Sequence, residues 1–333
     1  MACFTTEYTL HTGNALAVDS CPIGQDIWIV QRYSGHNFSM IKWSIITKHW
    51  STVEFKNRHL IEIDNGLAEN QKDFVICSSE SLLYMWRERL RGSILLKFDP
   101  ISLEWTRLNY IIWKSVPSSF MVLNNTGYVR FSNQNMKVFP LDTIIANNYT
   151  TSSGEVSACD LNGTAYYMAC RQNGERGVAK FDTETKKFRI VVDYIDPRGY
   201  LEYTDEGNEY QTYSYGYNNK IYQVIQSKNR IILDCFDIET KKFYTIFDTK
   251  HTDINVINIF GDDQKAYLVY SKKLYIGIRV IDLMPTLETL SLIRIADIAI
   301  HITNLRLNLL LPHVLWSRFD NMIKWKRADL KKT

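Results

Sequence analysis

The chain has 333 residues, of which 45% are hydrophobic and 13% aromatic, and its formal net charge is +3 at pH 7. So small a net charge argues against a protein that binds nucleic acid through its overall electric field. No stretch of the sequence has the roughly 18 consecutive apolar residues that a membrane-spanning helix needs.

The first segment with a regular pattern, CFTTEYTL, alternates as a β-strand does and lacks the long apolar core of a signal peptide. The six cysteines are scattered along the chain without a CxxC pair. These features predict reduced, mostly buried thiols and an intracellular protein, located in the cytoplasm or the nucleus.

A repeated hairpin follows. The segments WSIITKHW (43–50), FDPISLEW (98–105), FDTETKKF (181–188) and FDIETKKF (236–243) each place two aromatic residues seven positions apart around a polar turn. Phe139 and Ile281 begin two weaker copies that lack the second aromatic residue. Successive copies are 55, 41, 42, 55 and 45 residues apart, a spacing typical of the four-stranded blades of a β-propeller.

A second shared feature precedes each hairpin, namely a short apolar strand with an aromatic residue. These aromatic residues are Trp28, Tyr84, Tyr128, Tyr166, Tyr222 and Tyr267. Turn signals such as Asn124-Asn125 and Asn162-Gly163 come before several of these strands. Six aromatic strands alternate with six hairpins, and propellers close their ring by pairing strands from both ends of the chain. We therefore expect the N-terminal strand to complete the last blade.

The pattern changes after Leu292. Residues 298–302 and 305–309 alternate like a further hairpin, which leaves a seventh blade possible. After Pro312 the apolar residues follow helical spacing among many lysines and arginines. The sequence thus predicts an all-β propeller of about six four-stranded blades over residues 1–311 and a short basic amphipathic helix over 312–333. That helix either packs on the propeller or binds a partner or a membrane surface.

The alternation of an aromatic strand with an aromatic-Asp hairpin resembles the kelch-repeat superfamily, although the chain contains no Gly-Gly pair, which kelch blades usually carry. Related propellers, such as the domains that follow F-boxes, show a similar pattern. The resemblance implies a propeller that uses its loops to bind partner proteins.

No catalytic, metal or cofactor motif is present: phosphate-binding glycine patterns, H-E-x-x-H and G-x-S-x-G are all missing from the sequence. The seven histidines have no metal-ligand spacing. We therefore predict a protein that is not an enzyme and needs no cofactor.

The connections between the second and third strands of all blades are expected to open onto one face. These connections and their flanks hold eleven cations against only Glu88 and Glu175. With two neighbouring aromatic residues, they form the predicted partner-binding set: Arg32, Tyr33, Trp86, Arg87, Arg89, Arg91, Arg130, Arg171, Arg176, Lys228, Arg230, Lys272 and Lys273. Arginines suit bidentate capture of carboxylate or phosphate groups.

The leading interpretation is a protein-interaction scaffold that binds an acidic or phosphorylated segment of another protein on this basic face. An RNA-associated or ribonucleoprotein subunit would use the same face and is the alternative. A propeller enzyme is the third possibility. The sequence leaves the identity of the partner and the oligomeric state open.

Overall fold

The computed structural model describes residues 5–33, 37–62, 73–89, 92–111, 116–131, 135–141, 147–150, 155–170, 176–182, 185, 187–195, 211–227, 230–250, 253–262 and 264–283. These residues form 24 β-strands and one short helix, α1 (His59–Glu62). The strands make six antiparallel sheets of four strands each. Across the described residues, no helix has the length and apolar character needed to cross a membrane.

Each sheet is one blade, built from consecutive strands that run outward from the centre of the ring. Blade 1 holds β2 (Ala17–Ile23), β3 (Asp26–Arg32), β4 (Phe38–Ser44) and β5 (Trp50–Val53); blade 2 holds β6 (Phe74–Ser79), β7 (Leu82–Arg89), β8 (Gly92–Asp99) and β9 (Glu104–Ile111); blade 3 holds β10 (Ser119–Leu123), β11 (Thr126–Arg130), β12 (Asn135–Pro140) and β13 (Asn147–Thr150).

The remaining three blades follow the same order, except that the last one takes its outermost strand from the start of the chain. Blade 4 holds β14 (Glu155–Leu161), β15 (Thr164–Cys170), β16 (Arg176–Asp182) and β17 (Lys187–Ile195); blade 5 holds β18 (Gln211–Tyr217), β19 (Lys220–Ser227), β20 (Arg230–Asp237) and β21 (Lys242–Lys250); blade 6 holds β22 (Asn255–Gly261), β23 (Lys265–Lys272), β24 (Tyr275–Asp282) and β1 (Thr5–His11).

The repeated hairpin joins the third and fourth strands of a blade, as the sequence predicts. Its two aromatic residues are direct cross-strand partners, and their ring centroids lie 5.0 Å apart for Phe98–Trp105 and 4.8 Å apart for Phe236–Phe243. Aromatic pairs across strands stabilise a sheet and fix its register. The hairpin residues therefore align the outer half of the four blades that carry the aromatic pair.

The aspartate that follows the first aromatic residue closes the turn. Asp99 Oδ1 accepts a hydrogen bond from the Ile101 amide at 2.8 Å, and Asp237 Oδ1 accepts one from the Thr240 amide at 2.9 Å. These hydrogen bonds lower the pKa of both carboxyl groups, because they stabilise the ionised form. The Phe-Asp step of the repeat is thus a strand end followed by a side-chain-to-backbone turn.

Asparagine shapes several turns between the first and second strands. Asn124 and Asn125 have φ values of 47° and 55°, and Asn218 and Asn219 have values of 49° and 61°. This left-handed conformation is required in tight two-residue hairpins, and asparagine adopts it more readily than most residues. The sequence correctly predicts these turns from their Asn pairs.

The core consists of six apolar clusters, one between each pair of neighbouring blades. The six aromatic residues of the second strands contribute to them and are all buried. A second strand is covered by its neighbours in the sheet and by blades on both of its faces. Polar side chains of these strands such as Gln31, Arg87 and Gln223 therefore lie in the interior.

The ring closes between the two ends of the described chain. All seven residues of β1 pair with β24, from Thr5 opposite Ile281 to His11 opposite Tyr275. Tyr8 of β1 packs on the buried Trp43 of blade 1, with ring centroids 5.2 Å apart. The outermost strand of blade 6, next to β24, is therefore β1.

The six blades agree with the predicted all-β propeller. The hairpin over residues 298–309 and the helix over residues 312–333 lie outside the described residues, and so does the predicted boundary at residue 311.

Candidate functional site

The predicted basic face looks different in the structure, because four of its arginines are buried. Arg32, Arg87, Arg130 and Arg176 are each at most 3% exposed. They lie within or at the ends of strands and not in open loops. The prediction that all eleven cations lie together on an open face needs correction, since these four are enclosed between blades.

Acidic residues accompany the buried arginines. Arg32 Nε lies 2.8 Å from Asp73 Oδ1, and Arg87 Nε lies 3.5 Å from the other carboxylate oxygen of Asp73. The Arg87 guanidinium also lies over the ring of Phe38, 4.8 Å from its centroid. Asp73 begins blade 2 and Arg32 ends a strand of blade 1, so this cluster ties the two blades together.

A second buried pair ties blade 4 to blade 5. Arg176 Nε lies 3.6 Å from Asp234 Oδ2, and the other oxygen of Asp234 accepts a hydrogen bond from the Thr245 hydroxyl at 2.8 Å. Arg130 of blade 3 interacts electrostatically with Tyr167 of blade 4. All four buried arginines therefore interact across a blade boundary.

Most of the other predicted site residues that the structure describes are either buried or already bonded within the protein. Trp86 is fully buried and packs against Phe120, Phe131 and Phe139. Arg89 donates to the Leu60 carbonyl at 2.6 Å, and the partly exposed Arg230 forms a bidentate pair with Asp248 at 2.8 and 2.6 Å. Arg91, Arg171 and Lys228 lie outside the described residues.

Three predicted residues do come together on the surface where the ring closes. Lys272 and Lys273 are exposed at the β23–β24 turn, and the Tyr33 hydroxyl donates to the Thr12 carbonyl at 2.9 Å. The Thr12 amide in turn donates to the Leu274 carbonyl at 2.8 Å. We define the seam patch as His11, Tyr33, Lys272, Lys273, Leu274 and Tyr275.

The seam patch combines positive charge with apolar surface. Leu274 and Tyr275 are 37% and 47% exposed, and Tyr275 meets the exposed His11 edge-to-face with a centroid distance of 5.1 Å. Neither Lys272 nor Lys273 forms an ion pair with any residue that the structure describes. Both charges are therefore available to a ligand.

A second candidate site is the central channel, which the sequence reasoning did not identify. The first strands of all six blades line it, and it encloses a cavity of about 570 Å³. Small-molecule sites commonly have volumes of about 300–1,000 Å³. The one signal in the sequence is the mixture of Ser, Thr, Asn and Asp with apolar residues in these first strands.

Polar contacts hold the channel wall together. Asp19 of blade 1 accepts hydrogen bonds from the backbone amides of Ser20, at 2.9 Å, and Ile76 of blade 2, at 3.1 Å. The Asn258 amide of blade 6 donates to the Ser20 carbonyl at 2.9 Å. The hydroxyls of Ser157 and Ser214 hydrogen-bond each other between blades 4 and 5. The wall is thus preorganised.

Three cysteines also line the channel. Cys21, Cys77 and Cys159 hold equivalent positions opposite Trp28, Tyr84 and Tyr166 of their neighbouring strands. Burial raises the pKa of all three thiols, so that they stay protonated at neutral pH. In the described part of the chain, no group of three His, Cys, Asp or Glu side chains has an arrangement that suits a metal ion.

Comparisons with known proteins establish the fold class. No protein-family model and no curated protein matches the chain. Solved structures do match: the SapL1 lectin in complex with α-methyl fucoside is 9% identical over 78% of this chain and 93% of its own, with a TM-score of 0.50. AofleA from Arthrobotrys oligospora is 12% identical over 83% and 86%, with a TM-score of 0.51.

The Aleuria aurantia lectin in complex with α-methyl-L-fucoside is also similar, at 8% identity over 77% of this chain and 87% of its own, with a TM-score of 0.51. At such low identity these likenesses show that the chain is a β-propeller, and no more. Kelch-repeat membership stays a prediction from the hairpin pattern.

Proposed function

We propose that the protein is a non-catalytic interaction scaffold that binds an acidic segment of a partner protein at the seam patch. One observation carries this proposal: two exposed lysines without ion-pair partners among the described residues adjoin exposed Leu274 and Tyr275. The proposal keeps the predicted ligand class and narrows the predicted site from thirteen residues to Tyr33, Lys272, Lys273 and their neighbours.

The chemistry of the seam patch favours a peptide. Lysine ammonium groups attract carboxylates, whereas Leu274 and the ring of Tyr275 suit an apolar side chain of the same segment. Aromatic residues with a polar tip are frequent anchors in protein interfaces. The patch thus suits a short segment that alternates acidic and apolar residues.

Nucleic acid fits the same patch less well. A protein that binds a duplex through its phosphates commonly neutralises about 6–10 of them, whereas the patch offers two unpaired lysines. Four of the arginines that would have extended a phosphate track, Arg32, Arg87, Arg176 and Arg230, are paired with Asp73, Asp234 or Asp248. We therefore favour an acidic protein segment over RNA.

We also propose that binding proceeds without catalysis. The sequence contains no phosphate-binding glycine pattern, no H-E-x-x-H and no G-x-S-x-G motif, and the channel thiols have raised pKa values that make them poor nucleophiles. Two of the similar propellers are lectins with a bound methyl fucoside, which supports binding as a use of this fold.

The test is a binding measurement with charge-reversed variants. An array of acidic and phosphorylated peptides is probed with the protein, and the affinity of the strongest peptide is measured by fluorescence anisotropy. The double variant Lys272→Glu/Lys273→Glu should weaken binding at least about tenfold. The matched control is Lys241→Glu/Lys242→Glu, which makes the same charge change at an exposed turn on the opposite end of the blades.

Equal losses in both double variants would indicate an effect of net charge alone and would overturn the assignment to the seam patch. Tight binding of an RNA oligonucleotide, with a steep salt dependence and no peptide bound on the array, would replace the scaffold proposal with the RNA-associated alternative.

A saccharide is the second candidate ligand. The lectins named above are in complex with α-methyl fucoside, and the channel of this chain is lined by hydroxyl, amide and aromatic side chains. Such groups suit the hydroxyls and the apolar ring faces of sugars. A printed glycan array probed with the labelled protein tests this candidate, and an array without any bound glycan would reject it.

A further inference from the structure

We infer that the central channel is a binding site for a small neutral saccharide and that it rejects anionic sugars. This inference rests on the second candidate function, saccharide binding, and gives it a location and a charge selectivity. It concerns the inner surface of the ring and is independent of the seam patch.

The charged side chains among the described lining residues of the channel are all acidic. Three carboxylates line the cavity, those of Asp19, Glu80 and Asp160, and no Lys, Arg or His is among its described lining residues. Like charges repel strongly where protein atoms exclude part of the solvent. A sugar that carries a carboxylate or a sulfate would therefore bind poorly here.

The wall also does not suit a strongly cationic ligand. Both oxygens of Asp19 already accept backbone hydrogen bonds, and Asp160 Oδ1 accepts the Gly163 amide at 3.0 Å. The pKa of Asp160 is raised because burial disfavours its charged form. Glu80, the third lining carboxylate, is exposed at the turn between β6 and β7.

Most polar groups of the channel are neutral and can hydrogen-bond to a sugar. Asn124, at the mouth of the channel, carries an amide that both donates and accepts, and Thr212 and Ser118 add hydroxyl groups. A neutral ligand rich in hydroxyls pairs with such groups without the desolvation of a full charge.

Aromatic rings supply flat apolar surface in the same cavity. Tyr215 lines the channel and stacks on Tyr222 and Tyr217, with centroid distances of 6.0 and 6.3 Å. Phe120 and Phe260 also border the cavity, with their rings largely buried in the clusters between blades. The C–H faces of a pyranose pack well against rings that are held rigidly in this way.

The experiment uses the full chain and a panel of methyl glycosides. Neutral methyl hexosides and their uronic acid counterparts are titrated by isothermal calorimetry, alongside the printed glycan array. The neutral sugars should bind, and each uronic acid should bind at least about tenfold more weakly than its neutral partner.

Two variants locate the site. Asn124→Gly/Thr212→Val removes an amide and a hydroxyl from the channel, and glycine tolerates the positive φ of position 124. Binding of the neutral sugar should fall about tenfold or more. The control Asn219→Gly makes the same change at a positive-φ turn that does not line the channel, and its affinity should match the wild type.

A charge-reversal variant is expected to gain affinity for uronic acids, and a misfolded protein cannot produce such a gain. Glu80→Lys should improve uronic acid binding about tenfold, whereas the charge-matched control Glu54→Lys, in the loop after β5, should not. If glycans bind on the array and every channel variant binds them as tightly as the wild type, the channel is not the site, although saccharide binding stands. An empty array would reject saccharide binding, and preferential binding of amines or uronic acids to the wild type would overturn the selectivity.

Discussion

Arg32 Nε lies 2.8 Å from Asp73 Oδ1, and both side chains are almost completely buried between blades 1 and 2. Together with Arg87, this carboxylate holds two guanidinium groups in the interior. Four of the arginines that the sequence places on an open binding face, Arg32, Arg87, Arg130 and Arg176, thus lie buried and join blades. Tyr33, Lys272 and Lys273 of the predicted set lie instead in the seam patch, where β1 closes the ring.

Removal of the Asp73 carboxylate should be strongly destabilising. Asp73→Ala leaves two buried guanidinium groups without this counter-ion, and breaking a buried pair in this way commonly costs about 3–5 kcal/mol. Urea unfolding followed by tryptophan fluorescence measures the loss. Glu104→Ala is the control, because it breaks the exposed Lys56–Glu104 pair at 3.0 Å and should cost no more than about 1 kcal/mol. Similar losses in both variants would contradict the role of Asp73.

A glycine on the channel wall sets the distance between blades 4 and 5. A Cβ atom at Gly216 would lie 2.3 Å from the Asp160 carbonyl oxygen and 2.9 Å from Leu161 Cβ. Gly216→Ala must therefore push β14 and β18 apart, and overpacking of this kind costs about 1–3 kcal/mol. Differential scanning calorimetry should show a lower Tm. Ser78→Ala, another small change in the channel wall, should leave the Tm nearly unchanged.

The blade architecture was accessible from sequence because its determinants are local. The two aromatic residues of a hairpin, such as Phe236 and Phe243, are seven residues apart. The Asp237 carboxylate accepts its hydrogen bond from the nearby Thr240 amide. Asn pairs likewise specify turns by their own conformational preference. Short-range patterns of this kind recur along the chain, with the aromatic pair in four of the six blades, and therefore stand out in a single sequence.

The pairing of the arginines was not accessible, since it depends on contacts between distant residues. Asp73 lies 41 residues from Arg32 in the sequence, and Asp234 lies 58 residues from Arg176. One local sign did exist: Arg32, Arg87 and Arg130 continue apolar second strands, which a propeller covers on both faces. A cation in such a strand must be paired, because an isolated buried charge is too costly.

The turn aspartate should give the protein a measurable response to acid. The pKa of Asp237 is lowered chiefly by the Thr240 amide, so its stabilising effect is complete above the unfolded pKa of about 3.9 and is lost as the pH falls through the folded value. The stability difference between wild type and Asp237→Asn, measured by urea unfolding, should be present at pH 7 and shrink at pH 3. A difference that stays constant between these pH values would contradict this assignment.

Closure of the ring by β1 should be essential for a stable monomer. Deletion of residues 1–11 removes the strand that pairs with β24 and the packing of Tyr8 and Leu10 against the cluster between blades 6 and 1. A fully buried large apolar side chain contributes about 1.5–3 kcal/mol. Because Tyr8 and Leu10 are only partly buried, we expect the two together to account for a loss of about 1.5–3 kcal/mol. The exposed edge of β24 should also promote association between chains, which light scattering detects.

A deletion of residues 1–4 alone is the control and should behave as the wild type. Addition of a synthetic peptide covering residues 5–13 should restore the Tm of the longer deletion, since it can pair with β24 in place of the missing strand. If that deletion unfolds at the wild-type midpoint and stays monomeric, β1 does not close the ring in solution.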